Sequence, residues 1–83
     1  MKPEDTAKIT NKDDLIVFLD HLLADHSKNG ASWENQDIQS FIEAFQSWLG
    51  SSQYYYQNQG IDLASVTPWK EMGDAFAAAR IYE

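Results

Sequence analysis

The chain has 83 residues, no cysteine, and thirteen acidic against six basic side chains, for a formal net charge of −7. That length supports one small domain of modest burial, and the missing cysteines remove both a disulfide framework and a thiolate zinc site. The acidity argues against nucleic acid or an anionic membrane as direct partner, because both require a basic surface.

Met1-Lys2-Pro3-Glu4-Asp5 leads into polar sequence rather than an apolar signal region, and no apolar run is long enough to span a bilayer. The expectation is a soluble, cytoplasmic protein. Residues 1–43 carry nine acids and four bases, residues 44–83 four and two, so the negative field concentrates in the N-terminal half. Acidity of this kind serves solubility or docking on a basic surface of another protein.

Residues 1–10 read as an irregular tail of a single domain spanning 1–83. A first helix is predicted from Lys12 to about Ser27–Asn29, capped by Asn11 or Thr10, with Asp13 and Asp14 at the positive end of its dipole and Gly30 past its end. Its apolar stripe is Leu15, Ile16, Leu19, Leu22 and Leu23, with Phe18 on one flank. Asp14, Phe18, His21 and Asp25 follow at intervals of 4, 3 and 4, and so share one ridge. Acid, aromatic, imidazole and acid in a row make a protein-docking surface, and His21 is spaced to pair with Asp25. One histidine and two carboxylates along a helix are not a metal-ligand spacing. His26 falls in the apolar stripe and reads as a packed or helix-terminal residue.

Trp33 precedes the second helix and is placed to pack back on Ile38 or Gln39. Ile38, Phe41, Ile42, Phe45, Trp48 and Leu49 recur at helical spacing, and the same period continues to Tyr55 and Tyr56 beyond Gly50-Ser51-Ser52. The reading is one long central helix from about Gln36 to Gln59, with Asn35 as its cap and Gly60 as its left-handed stop. Two shorter helices broken near Gly50 are the alternative. On a continuous helix Tyr56 falls in the core, Tyr55 at its boundary, and Tyr54 in solvent as a protein-contact residue.

Ile61–Val66 is a short connector. Thr67-Pro68-Trp69 starts a third helix, with Thr as cap and Pro in the first turn, running to about Arg80. Its stripe is Trp69, Met72, Gly73, Phe76 and Ala79 or Arg80. The small residues around that stripe make a thin helix that its neighbours can approach closely. Ile81-Tyr82-Glu83 is expected to pack back on the body.

No phosphate-binding glycine loop, nucleophile triad or H-E-x-x-H motif is present. The two histidines, five residues apart on one helix, diverge by about 140°. A three-helix domain also leaves little room for a ligand pocket. The sequence therefore predicts no enzyme, no cofactor and no metal.

Trp33-Glu34-Asn35, Tyr55-Tyr56 with Asn58 and Gly60, Pro68-Trp69 and the terminal Ala78-Ala79-Arg80-Ile81-Tyr82-Glu83 resemble an uncharacterised family of small acidic bacterial helical proteins, a domain of unknown function. The resemblance implies no activity. In size, acidity and helicity the chain is also similar to colicin-nuclease immunity proteins, acidic inhibitors of basic nucleases, an analogy without a shared motif.

The sequence-based expectation is an all-α, three-helix domain acting as a non-enzymatic protein-binding module, immunity-like in style, on a basic partner. Asp14, Phe18, His21, Asp25, Tyr54 and Tyr55 are its candidate contacts. Self-association into a structural or accessory homo-oligomer through the aromatics of the second helix is the alternative.

Overall fold

The computed structural model describes residues 4–81. A single helical turn, α1 (Glu4–Ala7), is followed by α2 (Lys12–Asn29), α3 (Ile38–Gly50), α4 (Ser52–Asn58) and α5 (Pro68–Ala79), with 3-10 turns at Gly30–Ser32 and Leu63–Ser65. No strand occurs among the described residues. The three-helix expectation is thereby corrected to four helices of seven residues or more.

The extra helix arises at Ser51. Its backbone leaves the helical region at φ −120°, ψ 15°, and its N–H donates to Trp48 O at 3.1 Å. The Ser51 hydroxyl donates back to the carbonyls of Ser47 and Trp48 at 3.2 and 3.4 Å. A serine bonding backwards in this way competes with the main-chain ladder, so the long helix becomes α3 and α4. The apolar register nevertheless carries across the break: Tyr56 is fully buried, Tyr55 sits at the boundary and Tyr54 is exposed.

The start of α3 also differs from expectation. Asp37 is the cap, its carboxylate accepting from Ser40 N at 2.8 Å and Ser40 Oγ at 2.9 Å. Asn35 instead joins the loop to the end of α5, its N–H donating to Arg80 O and its Nδ2 to Ala79 O. The caps of the other two long helices are as the sequence predicts: Asn11 accepts from Asp14 N, and Thr67 Oγ1 from Lys70 N.

The helix at the centre is α5, not α3. Both α2 and α3 pack on α5 rather than chiefly on each other, and α1 joins them there. Buried Gly73, Ala75 and Ala79 make α5 thin enough for neighbours on two sides. One core cluster gathers Ile9, Leu15 and Phe18 with Leu19, Phe76 and Ala77. The other gathers Trp48, Tyr56 and Ala75 with Phe45, Ile61, Val66 and Ala78.

Two segments depart from their expected burial. Within the supposed tail, Ile9 is buried and lies over Gly73, whose missing side chain leaves it room. In α2 the inward face is Leu15, Phe18 and Leu22, while Ile16 and Leu23 are exposed. The stripe is rotated toward Phe18 because α2 is covered there by α5 and by Ile9. Ile81 is exposed, and Tyr82 and Glu83, expected to pack back, lie outside the described residues.

Candidate functional site: an apolar groove between α2 and α3

The ridge expected to bind a partner does not form one surface. Phe18, at 2% exposure, is core, which corrects its assignment as a contact residue. Asp14 is half-buried and accepts from Thr10 Oγ1 at 2.7 Å and Thr10 N at 3.0 Å; the hydroxyl bond in particular holds its carboxyl below the usual range. Asp25 accepts from the Trp33 indole N–H at 2.8 Å, from Asn29 Nδ2 at 3.3 Å, and pairs with Arg80 at 3.5 Å. It thus joins α2, the following loop and the end of α5, rather than pairing with His21. The indole bond is the main cause of its lowered pKa.

His21 remains exposed beside a small cavity of about 220 Å³ lined by Lys8, Ile9, Asp14, Val17, Phe18 and His21. Tyr54 is exposed on α4, away from these residues in sequence. Tyr55 packs its ring on Trp48 and Tyr56, with centroids 5.5 and 5.3 Å away. Of the six expected contacts, only His21 and Tyr54 stand largely free in solvent.

A larger feature lies between α2 and α3. Because both helices pack on α5, they diverge above it and leave a groove of about 480 Å³. Leu19, Leu22 and Leu23 form one wall, Ile38 and Phe41 the other, and Phe76 of α5 the floor. Trp33 closes one end, stacked on Phe41 at 5.8 Å and meeting the edge of His26 at 4.9 Å. Phe41 continues to Phe76 at 6.3 Å, so a run of rings lies beneath the opening. The expectation that so small a domain lacks room for a pocket is overturned.

The apolar surface continues past the groove. Ile38 is 74% exposed and Leu23 71%, with Ile16 and Ile42 more than half exposed. On helical geometry Ile38, Ile42 and Leu49 share one ridge of α3 within about 40°, and Ile16 and Leu23 one ridge of α2 within about 20°. The width of the stripe is legible in the sequence, though not which part of it stays uncovered: six large apolar residues among the thirteen of α3 are more than one neighbour can cover.

Charge at the groove has one sign. Residues 29–69 contain four carboxylates and no lysine or arginine. Asp37 lines the groove, and its bonds to the backbone and hydroxyl of Ser40 lower its pKa and keep it ionised. Asp13 and Asp20 occupy the helical row just outside the Ile16–Leu23 ridge.

The polar groups inside the fold have structural work. Asp74 is buried and accepts from Tyr56 Oη at 2.6 Å and from Lys70 Nζ at 2.7 Å, tying α4 to α5. Among the described residues no group of three or more His, Cys, Asp or Glu side chains is placed to hold a metal ion. No helix there is long and apolar enough to cross a membrane.

No curated protein and no solved structure matches the chain. A family model does, over residues 11–83, which takes in all of α2 to α5. The chain belongs to the family of unknown function DUF7660.

Proposed function

We propose that this protein is a non-enzymatic protein-binding module whose docking surface is the apolar groove between α2 and α3, and whose partner is basic. The observation that carries this reading is the groove itself: large aliphatic side chains at 71% and 74% exposure flank a run of rings. Contiguous exposed apolar surface of this kind, rimmed by polar groups, marks interaction sites on small domains. Asp37 in its lining and the net charge of −7 supply the sign of the partner, since complementary charge steers encounter and rejects like-charged competitors.

The same charges weigh against the homo-oligomer. A second copy seated in the groove would bring acidic rim against acidic rim in a chain already at −7. Sedimentation at rising protein concentration reads this directly, and the proposal expects a monomer throughout.

The test is capture from a lysate of the source organism with the tagged protein, washed in steps of rising salt, beside the variant Leu23→Ser/Ile38→Ser. A basic protein held at low salt by the wild type, released by salt and lost from the variant supports the reading. Equal retention by both proteins overturns the groove as the docking surface. Both substituted side chains are mostly in solvent, so the variant's melting temperature should stay within a few degrees of wild type.

A further inference from the structure

Resting on that reading, we infer that the segment received by the groove is an α-helix, apolar along one face and lysine- or arginine-rich along its flanks, which lies between α2 and α3 as a further member of the bundle. Three observations carry the inference. The first is the chemistry of the lining. Seven of the eleven residues around the groove are Leu, Ile, Phe or Trp. Three of the four polar ones are engaged, Asn35 Nδ2 with Ala79 O, Gln36 Nε2 with Ala31 O and Asp37 with Ser40, and the fourth, His26, sets its ring against Trp33. An extended peptide would bring its amide groups onto a surface with few partners to offer, and an unsatisfied buried backbone group is costly. No strand edge exists among the described residues to pair with it. A helix satisfies its own amides and presents only side chains.

The second observation is length. Leu19 and His26 mark the α2 wall of the groove, and seven residues of helix rise about 10 Å. That is the reach from i to i+7 of a docked helix, whose anchors recur at i, i+3, i+4 and i+7. The exposed Ile42 and Leu49 extend the α3 wall by a further two turns.

The third is charge. Asp37, at the head of α3, is the one charged side chain that lines the groove, no lysine or arginine lines it, and the chain as a whole carries −7. A helix seated there brings its flanking residues past that carboxylate in a negative field. Basic flanks fit and acidic flanks are repelled.

The probe is a synthetic peptide of about fifteen residues, with leucine at i, i+3, i+4 and i+7 and lysine at most other positions. It is titrated into the full chain. Indole fluorescence reports Trp33, with Trp33→Phe identifying its share of the signal, and far-ultraviolet dichroism reports helix gained on binding. A second peptide carries proline at its centre, and a third carries glutamate for lysine.

The expected result is saturable binding of the first peptide with a gain in helix. Affinity should fall more than a hundredfold with central proline, which disfavours helix interiors by about 3 kcal/mol, and at least tenfold with glutamate. Equal affinity for the proline peptide would show an extended occupant and overturn the inference. So would an unchanged affinity on Leu23→Ser/Ile38→Ser, which places binding elsewhere, or the absence of saturable binding. If no peptide binds while the lysate partner still depends on Leu23 and Ile38, the docking reading stands and the helical occupant falls.

Discussion

Substituting Gly73 by alanine isolates the contact that fastens the N-terminal segment to the core. In an open helix interior the change stabilises by about 1 kcal/mol through propensity. Here the added Cβ runs into Ile9 Cδ1, the end of a side chain that is itself buried. Overpacking of this kind costs about 1–3 kcal/mol, so Gly73→Ala alone should lose between about 0 and 2 kcal/mol. For a domain this size each kilocalorie shifts the melting temperature by about 4–8 °C.

Ile9→Val removes the clashing atom and by itself costs about 0.5–1.5 kcal/mol. Its remaining Cγ1 stays 3.7 Å from the new Cβ, and Leu15 Cδ1 stays 3.6 Å away, both ordinary contacts. The double variant should therefore recover the propensity gain and melt close to wild type. Thermal and denaturant unfolding of the four proteins give the coupling energy, expected at about 1–3 kcal/mol in favour of the pair. Simple additivity, or a Gly73→Ala protein that melts higher than wild type, would refute the placement of Ile9 over α5. Gly50→Ala is the control: beyond its chain neighbours and its own helix backbone, no atom lies within 4 Å of the added Cβ, so only the propensity gain should appear.

Other predictions follow from the polar contacts. Asp74→Ala strands the buried Tyr56 hydroxyl and Lys70 and should cost about 3 kcal/mol or more, whereas Tyr56→Phe, which leaves Lys70 on the carboxylate, should cost about 1–2 kcal/mol in chemical denaturation. Burial first, and the bond to Asp74 second, raise the Tyr56 pKa in the fold. A raised folded value means its stabilising share is complete below the unfolded pKa of about 10 and is lost as pH rises beyond it. Tyr56→Phe should flatten that alkaline loss. Asp14, Asp25 and Asp37 all have lowered pKa values, so their shares are present above about pH 4 and vanish as pH falls through the folded values. Asp25→Asn should make the acid limb of the stability–pH curve shallower. Tyr54→Ala and Asp25→Ala should separate cleanly in thermal melts: the first leaves stability nearly unchanged, and the second loses about 1–3 kcal/mol by stranding the Trp33 indole.

The sequence is legible where the chemistry is local. Asn11 and Thr67 are visible as caps because their side-chain preference is intrinsic to the helix start, and Tyr56 is visible as core because periodicity carries across one irregular residue. Asp37 does not stand out as a cap because Asn35 has the same preference two residues earlier. Only the docking of the loop on Ala79 and Arg80 shows that Asn35 has other work. The break at Ser51 depends on a hydroxyl turning back to Ser47 and Trp48, which composition alone does not fix.

The candidate site is less legible for a different reason. Leu23, Ile38 and Ile42 carry the same helical spacing as core residues, and spacing does not reveal that no neighbour covers them. Phe18 falls on the flank of a stripe centred on the aliphatics of α2, yet packing on α5 and Ile9 turns it inward. Asp25 looked like a surface charge because its partners Trp33 and Arg80 are 8 and 55 positions away in the chain. Which apolar face is covered is a property of the assembled helices.

The most direct test of the groove as a docking surface is a residue-by-residue map of binding. Backbone amide resonances of the labelled protein would be followed while the leucine–lysine peptide is added. Shifts gathered at Leu19, Leu22, Leu23, His26, Trp33–Phe41 and around Phe76, with Tyr54 and the face formed by Lys8, Asp14, Val17 and His21 unmoved, are the predicted result. Shifts centred on His21 and Tyr54 with the groove silent would contradict it.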